Sequence, residues 1–85
     1  MSEVKKIIIA DASEEYRTML ADAIQGRDDM EIVAQTGDGE QLLELVAQHQ
    51  PQGVIMDLML TGMDGLEVLE QLGQNRPRVV VLSAF

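Results

Sequence analysis

Two aspartates are the side chains in this sequence best placed to do chemistry. Asp11 follows the apolar run at residues 7–10, and Asp57 lies inside the apolar run at residues 53–60. An unpaired carboxylate is costly to bury, so we expect a partner to compensate Asp57. If the two runs are neighbouring strands, both carboxylates share one crevice, where they and a backbone carbonyl can hold hydrated Mg²⁺. The cation would offset an incoming phosphoryl group and leave one carboxylate as a nucleophile.

The same positions also fit a purely structural role. Asp11 would then cap the first helix, and Asp57 would mark the true end of its strand, because aspartate is a common turn former. The spacing alone leaves both interpretations open.

The elements that would position these aspartates follow from the hydrophobic pattern. Apolar runs at residues 7–10, at 79–82 and, apart from Asp57, at 53–60 are typical of strands covered on both faces, and residues 30–36 form a less regular strand. Helical spacing of apolar residues predicts three helices between the strands. Their predicted apolar faces are Tyr16, Met19, Leu20, Ala23 and Ile24 in the first, Leu42, Leu43, Val46 and Ala47 in the second, and Leu66, Leu69 and Leu72, flanked by Val68, in the third.

The order β-α-β-α-β-α-β with short connections predicts an α/β fold with an open parallel sheet and right-handed crossovers. In such sheets, ligands bind outside the carboxyl ends of the strands. The residues at those ends, Asp11, Thr36, Asp57 and Ser83, are therefore the candidates for a functional site.

Length and charge narrow the class of protein. Eighty-five residues make one small domain, and 15 acidic against 6 basic residues give a net charge of −9. This charge repels phosphate backbones and anionic membranes, so we expect no direct binding to nucleic acid or to a membrane. The absence of cysteine excludes disulfides, thiolate zinc sites and cysteine nucleophiles. With neither a signal peptide nor a membrane span in the sequence, we expect a cytoplasmic domain.

Three segments of the sequence resemble the receiver domains of two-component response regulators. They are IIAD at residues 8–11, VIMD at 54–57 followed by MDGLE at 63–67, and VVLSAF at 80–85. The resemblance is greatest to receivers of sporulation regulators and neighbouring transcription factors. It implies a flavodoxin-like, CheY-like sheet with the strand order 2-1-3-4.

The resemblance also implies roles for individual residues. Such receivers accept a phosphoryl group from a histidine kinase or phosphotransfer protein onto an aspartate, using Mg²⁺, and are not enzymes in their own right. Asp57 would be the acceptor, Asp11 an acidic-pocket residue, the Met59 backbone carbonyl a metal ligand and Ser83 the switch hydroxyl. Without the resemblance, Ser83 is more simply interpreted as an ordinary strand-end hydroxyl. The output, which we expect to be transcription, would be carried elsewhere.

The sequence departs from the family pattern in three places. Ala12 stands where the family usually has a second acid, which predicts weak Mg²⁺ binding. Leu60 and Thr61 replace the common Met-Pro, which predicts a looser loop because proline would fix φ. The match ends after the fourth strand, so we expect residues 1–85 to be the N-terminal portion of a receiver, without its fifth strand and last helices and the lysine that contacts the phosphoryl group.

A second function is compatible with these departures. A truncated or pseudo-receiver would serve only as an interaction module, without phosphorylation; Ala12 favours this alternative, whereas Asp11, Asp57 and Ser83 favour phosphoryl acceptance. The uncharged run at residues 79–82 predicts an exposed edge strand. We therefore expect a homodimer, formed through the fourth strand or by exchange of elements.

Overall fold

A four-stranded parallel sheet forms the centre of the protein in the computed structural model, which describes residues 3–74 and 76–82. Its elements are β1 (Lys5–Ala10), α1 (Glu14–Gln25), β2 (Met30–Thr36), α2 (Gly39–His49), β3 (Gly53–Met56), α3 (Gly65–Leu72) and β4 (Arg78–Val81). The strand order is β2-β1-β3-β4, and every pair is parallel. The predicted α/β class and strand order are confirmed. In these two ranges, no helix has the length and apolar character needed to cross a membrane.

The main core lies between one face of the sheet and the helices α2 and α3. Alternate residues of β1 and β3 point to this face because side chains alternate along a strand. The buried members of the core are Ile8, Ala10, Leu42, Val54, Met56 and Val68. Helix α1 packs against β1 and β2, where its Ile24 is buried.

Two predicted helix faces differ from the observed ones. In α1 only Ile24 is buried, whereas Met19 is 57% exposed, because the helix packs mainly against β1 and β2. In α3, Val68 is fully buried and Leu66 is 61% exposed. Gly65, Val68 and Leu72 are spaced by about one helical turn and share the inner face of α3. Leu66 is rotated away from that face.

The third strand is shorter than predicted. It ends at Met56 rather than at residue 60. The Leu58 carbonyl accepts hydrogen bonds from the amides of Leu60 (3.1 Å) and Gly65 (2.8 Å), so the backbone turns instead of continuing as a strand. The apolar residues after Asp57 therefore belong to the loop between β3 and α3.

Each helix begins at a capping residue that follows a strand-end loop. The Ser13 hydroxyl accepts a hydrogen bond from the Tyr16 amide (3.2 Å), and the carboxylates of Asp38 and Asp64 accept from amides three residues further on (3.0 and 2.9 Å). Side-chain oxygens at this position satisfy amides that have no partner inside the helix. These caps fix the loops at the carboxyl edge of the sheet, where the candidate site lies.

Candidate functional site

The two predicted aspartates occupy neighbouring positions at the carboxyl edge of the sheet. β1 and β3 are paired up to Ala10 and Met56, and Asp11 and Asp57 are the next residues of the two strands. The Asp57 amide donates to the Ala10 carbonyl (2.9 Å), so the two chains are still adjacent at this point. Neighbouring strands lie about 4.8 Å apart. Asp11 is buried and Asp57 is half-buried.

Each carboxylate also orders the loop that follows it. Oδ1 of Asp11 accepts a hydrogen bond from the Ser13 amide (2.8 Å), and Oδ1 of Asp57 accepts from the Met59 amide (3.3 Å). Both bonds are the local turns expected of aspartate at a strand end. A carboxylate has about four lone-pair sites, so these turns leave acceptor capacity on both side chains. The alternative in which Asp11 caps the first helix is wrong, because Ser13 is the N-cap of α1. The local turns that Asp11 and Asp57 do make are compatible with a ligand role.

The donors available at this edge suit a hydrated Mg²⁺ ion. Asp11 and Asp57 offer oxygen only, as would the Met59 carbonyl that the resemblance predicts as a ligand, and Mg²⁺ is commonly bound by one or two carboxylates with water in its other positions. Ala12 is exposed and adds no oxygen ligand. Within residues 3–74 and 76–82, no group of three or more His, Cys, Asp or Glu side chains could hold a metal ion. The donor set therefore fits a largely hydrated cation rather than a cage made only of side chains.

The loop after Asp57 is fastened to the loop between β2 and α2. The Thr61 amide and hydroxyl both donate to the Gly37 carbonyl (2.9 and 3.0 Å), and the Gly39 amide donates to the Thr61 carbonyl (3.0 Å). The sequence predicted a looser loop here because Thr61 does not fix φ as proline does. The structure shows a restraint that this prediction lacked, and it uses an amide donor that proline does not have.

Arg17 is a further residue of this edge that sequence reasoning missed. Its guanidinium Nη1 donates to the Asp11 carbonyl and lies beside Gly37. Arg17 is the fourth residue of α1, near a helix end where the dipole disfavours a cation. A basic residue at such a position was the available signal that a specific acceptor lies nearby.

Of the other two strand-end candidates, the structure describes Thr36 but not Ser83. Thr36 is buried, and its hydroxyl contacts Gln41 and accepts from the Asp38 amide (3.1 Å), so it orders the start of α2. Ser83, the predicted switch hydroxyl, lies outside the described residues. Its role remains a prediction of the resemblance.

A parallel sheet of order 2-1-3-4, with acids after both of its central strands, defines the CheY-like class of flavodoxin-like α/β proteins. The family model described as the response regulator receiver domain matches residues 7–85. The chain belongs to this family and is a receiver domain of the response-regulator type.

Two relatives, one named as an enzyme and one as a transcriptional regulator, contain a segment similar to this chain. The chain is 39% identical over 62 residues to protein-glutamate methylesterase/protein-glutamine glutaminase 1 of Syntrophomonas wolfei, covering 73% of this chain and 18% of that protein. It is 29% identical over 82 residues to the transcriptional regulatory protein LiaR of Bacillus subtilis, covering 94% of this chain and 39% of LiaR. The chain thus spans well under half the length of either relative.

Solved receiver structures superpose closely on this chain. The response regulator domain of Thermotoga maritima CheB has a TM-score of 0.89 at 27% identity, covering 95% of this chain and 61% of that one. A LuxR-family DNA-binding response regulator from Staphylococcus aureus has a TM-score of 0.88 at 30% identity, covering 96% of this chain and 70% of that one. Receiver domains in general are signalling domains that bind Mg²⁺ at the phosphorylation site, interact with histidine kinases and often dimerise.

Proposed function

We propose that this receiver accepts a phosphoryl group on Asp57 from a histidine kinase or phosphotransfer protein. The observation that carries the proposal is the position of Asp57, half-buried directly after β3 and adjacent to the buried Asp11 after β1. Asp11, Asp57 and the Met59 carbonyl would hold Mg²⁺. We propose Ser83 as the switch hydroxyl on the strength of the family match alone.

The transfer needs only one nucleophilic oxygen from this chain. An oxygen of the Asp57 carboxylate attacks phosphorus, and the phosphorus–nitrogen bond of a phosphohistidine donor breaks, with its electron pair left on the imidazole nitrogen. The Met59 amide holds Oδ1 of Asp57, which fixes the orientation of the carboxylate. Mg²⁺, when bound, offsets the negative charge shared by phosphoryl and carboxylate oxygens. Hydrolysis of the acyl phosphate restores Asp57, so we propose at most autophosphatase-type chemistry.

The output of this switch is proposed to be transcription. LiaR and the Staphylococcus aureus neighbour are named as transcriptional or DNA-binding regulators, and the chain covers only part of each. The output would therefore be carried outside residues 1–85, and no direct contact with nucleic acid is proposed for this segment. The partial coverage of solved receiver chains supports the expectation that these residues form part of a receiver. We also propose a cytoplasmic location, as for response regulators in general.

Incubation with acetyl phosphate and Mg²⁺ tests phosphoryl acceptance. The intact mass of the chain should increase by one phosphoryl group, and the increase should be absent when EDTA removes the metal. A chain that gains no mass at any Mg²⁺ concentration would contradict the proposal. That result would support the interaction-module alternative, which the family and structural comparisons do not favour.

We expect Mg²⁺ affinity to be weak and to rise when Ala12 is replaced with aspartate. Ala12 directly follows Asp11 and is exposed, so the new carboxylate adds an oxygen ligand at this edge. Affinity for hard cations rises with the number of charged ligands, and we expect the Mg²⁺ Kd to fall by about ten-fold. Calorimetric titration measures this change. Ala23→Asp, which adds the same charge in the second half of α1, is the control; equal titrations for both variants and the wild type would contradict the assignment.

The exposed edge of the sheet supports a homodimer, formed through β4 or by exchange of elements. In the described sheet β4 pairs only with β3, and its Val80 and Val81 are 49% and 40% exposed. Val80 also lines an open hollow of about 490 Å³ on the sheet face, together with Ile7 and Ile55. After Arg78, the remaining residues of this edge strand are uncharged, and apolar edge-strand residues beside bare apolar surface are a template for pairing with another chain. Because each chain carries a charge of −9, added salt should favour the dimer.

Replacing Val80 with lysine should weaken a dimer formed through β4, so that it dissociates into monomers. A charge on the edge strand is a common device against strand pairing, and we expect the dimer Kd to rise by at least about ten-fold. Sedimentation equilibrium over a range of concentrations measures the change. Met19→Lys is the matched control, since Met19 is similarly exposed but lies on α1. A wild-type chain that stays monomeric at high concentration, or a dimer that Val80→Lys leaves unchanged, would rule out pairing through β4.

A further inference from the structure

Thr61 joins two loops at the carboxyl edge of the sheet through both its backbone and its side chain. Its amide and carbonyl form a parallel bridge with the segment around Asp38, through Gly37 and Gly39. Its hydroxyl donates to the Gly37 carbonyl (3.0 Å) and lies 3.4 Å from Oδ2 of Asp38. Thr61 is exposed, and all of these bonds join it to residues of the other loop.

The same two loops are in close contact on either side of Thr61. A Cβ added to Gly39 would overlap the Met63 carbonyl oxygen and would lie 2.8 Å from its carbon. A Cβ added to Gly62, which has φ of +70°, would lie 3.3 Å from Oδ2 of Asp38. Residues 61–63 are therefore packed against residues 37–39 with little space between the two backbones.

The fastened loop carries the groups that the proposed function uses. Asp57 begins the loop, and the Met59 carbonyl lies two residues before Thr61. The Met59 amide is itself bonded to Oδ1 of Asp57, so a shift of the loop moves both groups together. At the other end, a Cβ added to Gly37 would lie 2.9 Å from Nη1 of Arg17, whose guanidinium donates to the Asp11 carbonyl. The bridge at Thr61 thus connects the loops that follow β1, β2 and β3.

We propose that Thr61 is a positioning residue for the acidic site. This inference rests on the proposed function. The Thr61 hydroxyl holds the loop at residues 58–64 in the position where the Met59 carbonyl and the Asp57 carboxylate can bind the same hydrated cation. Groups that orient metal ligands from outside the coordination sphere have large effects on affinity. Thr61 takes the place of a proline in the family pattern and fastens the loop with hydrogen bonds that proline does not form.

Replacing Thr61 with valine tests the role of the hydroxyl at nearly constant volume. We expect the Mg²⁺ Kd to rise by about ten-fold, the lower end of the range for such supporting groups. Amide hydrogen exchange at Gly39 and Thr61, measured without metal, should become faster. Thr61→Ser retains the hydroxyl and should restore both the affinity and the slow exchange.

Thr18→Val is the matched control for this substitution. Thr18 is exposed, and its hydroxyl donates to the Glu14 carbonyl within α1 (3.0 Å), so its loss removes a comparable bond away from the loops. We expect Mg²⁺ affinity and exchange at Gly39 to be unchanged in this variant. All variants are also prepared with Ala12→Asp, so that the titration is measurable if the wild-type affinity is low.

Different results would contradict the role of Thr61 and the proposed phosphoryl acceptance on Asp57. A change in Mg²⁺ Kd below about three-fold for Thr61→Val, or a change that Thr61→Ser does not reverse, would contradict the role of Thr61. Absence of Mg²⁺ binding both in the wild-type chain and in the Ala12→Asp background would contradict it as well. A chain that binds Mg²⁺ but takes up no phosphoryl group would overturn the proposed function, while the titrations would still decide the role of Thr61.

Discussion

Asp57→Asn is expected to reduce Mg²⁺-dependent phosphoryl uptake to the level of a chain that was never exposed to acetyl phosphate. Asparagine has the shape of aspartate, and its carbonyl oxygen can still accept the Met59 amide hydrogen that Oδ1 of Asp57 accepts now. The loop should therefore keep its turn. The amide is neutral and is not a nucleophile, so the acyl phosphate cannot form. Intact mass after incubation with acetyl phosphate measures the loss.

Asp64→Asn is the matched control for this variant. Asp64 is exposed and caps α3 by accepting from the Glu67 amide (2.9 Å), a role that asparagine performs equally well. Phosphoryl uptake should therefore be unchanged. Uptake that persists in Asp57→Asn, or that is lost in Asp64→Asn alone, would show that the acceptor has been assigned to the wrong residue.

Gly39→Ala is expected to destabilise the fold by about 3 kcal/mol or more, the upper part of the range for overpacking. The new methyl group would overlap the Met63 carbonyl, and a backbone atom cannot move aside as a flexible side chain can. Gly39 is the first residue of α2, where alanine would otherwise favour the helix. At about 4–8 °C per kcal/mol for a domain of this size, Tm should fall by roughly 12–24 °C. Thermal unfolding followed by circular dichroism measures the shift.

Gly26→Ala provides the comparison. Gly26 has an ordinary φ of −79°, and an added Cβ would meet no atom within 4 Å. This substitution should raise stability by about 0.4–1 kcal/mol, because alanine lowers the entropy of the unfolded chain. If Gly39→Ala is as stable as the wild type, the loops at residues 37–39 and 61–63 are not in the close contact described above.

Patterns within short segments predicted the elements and their order well. Apolar runs with β-branched residues marked the strands, and helical spacing of apolar residues marked the helices, since these signals act within short segments. The positions of Asp11 and Asp57 at one edge then followed from the parallel topology. The resemblance to receivers supplied the strand order, which the alternation of elements alone does not determine.

Properties that depend on distant contacts were harder to predict. The apolar run at residues 53–60 favoured a longer strand, and only the turn-forming tendency of Asp57 indicated that β3 ends at Met56. The turn itself depends partly on a hydrogen bond from the Gly65 amide to the Leu58 carbonyl. Burial of Val68 rather than Leu66 depends on how α3 sits on the sheet. The bridge between Thr61 and Gly37 joins residues 24 apart, and the sequence pattern alone contains no signal for it.

Phosphoryl acceptance at Asp57 is tested most directly by titrating the chain with Mg²⁺ and beryllofluoride, an analogue of the phosphoryl group, and following the amide signals by NMR. We expect shifts concentrated at the two acidic loops, at the amides of Ser13, Met59 and Thr61, and none of these shifts in Asp57→Asn. Shifts confined to other parts of the chain, or no shifts at saturating concentrations of both ions, would contradict a phosphoryl-accepting site at Asp57.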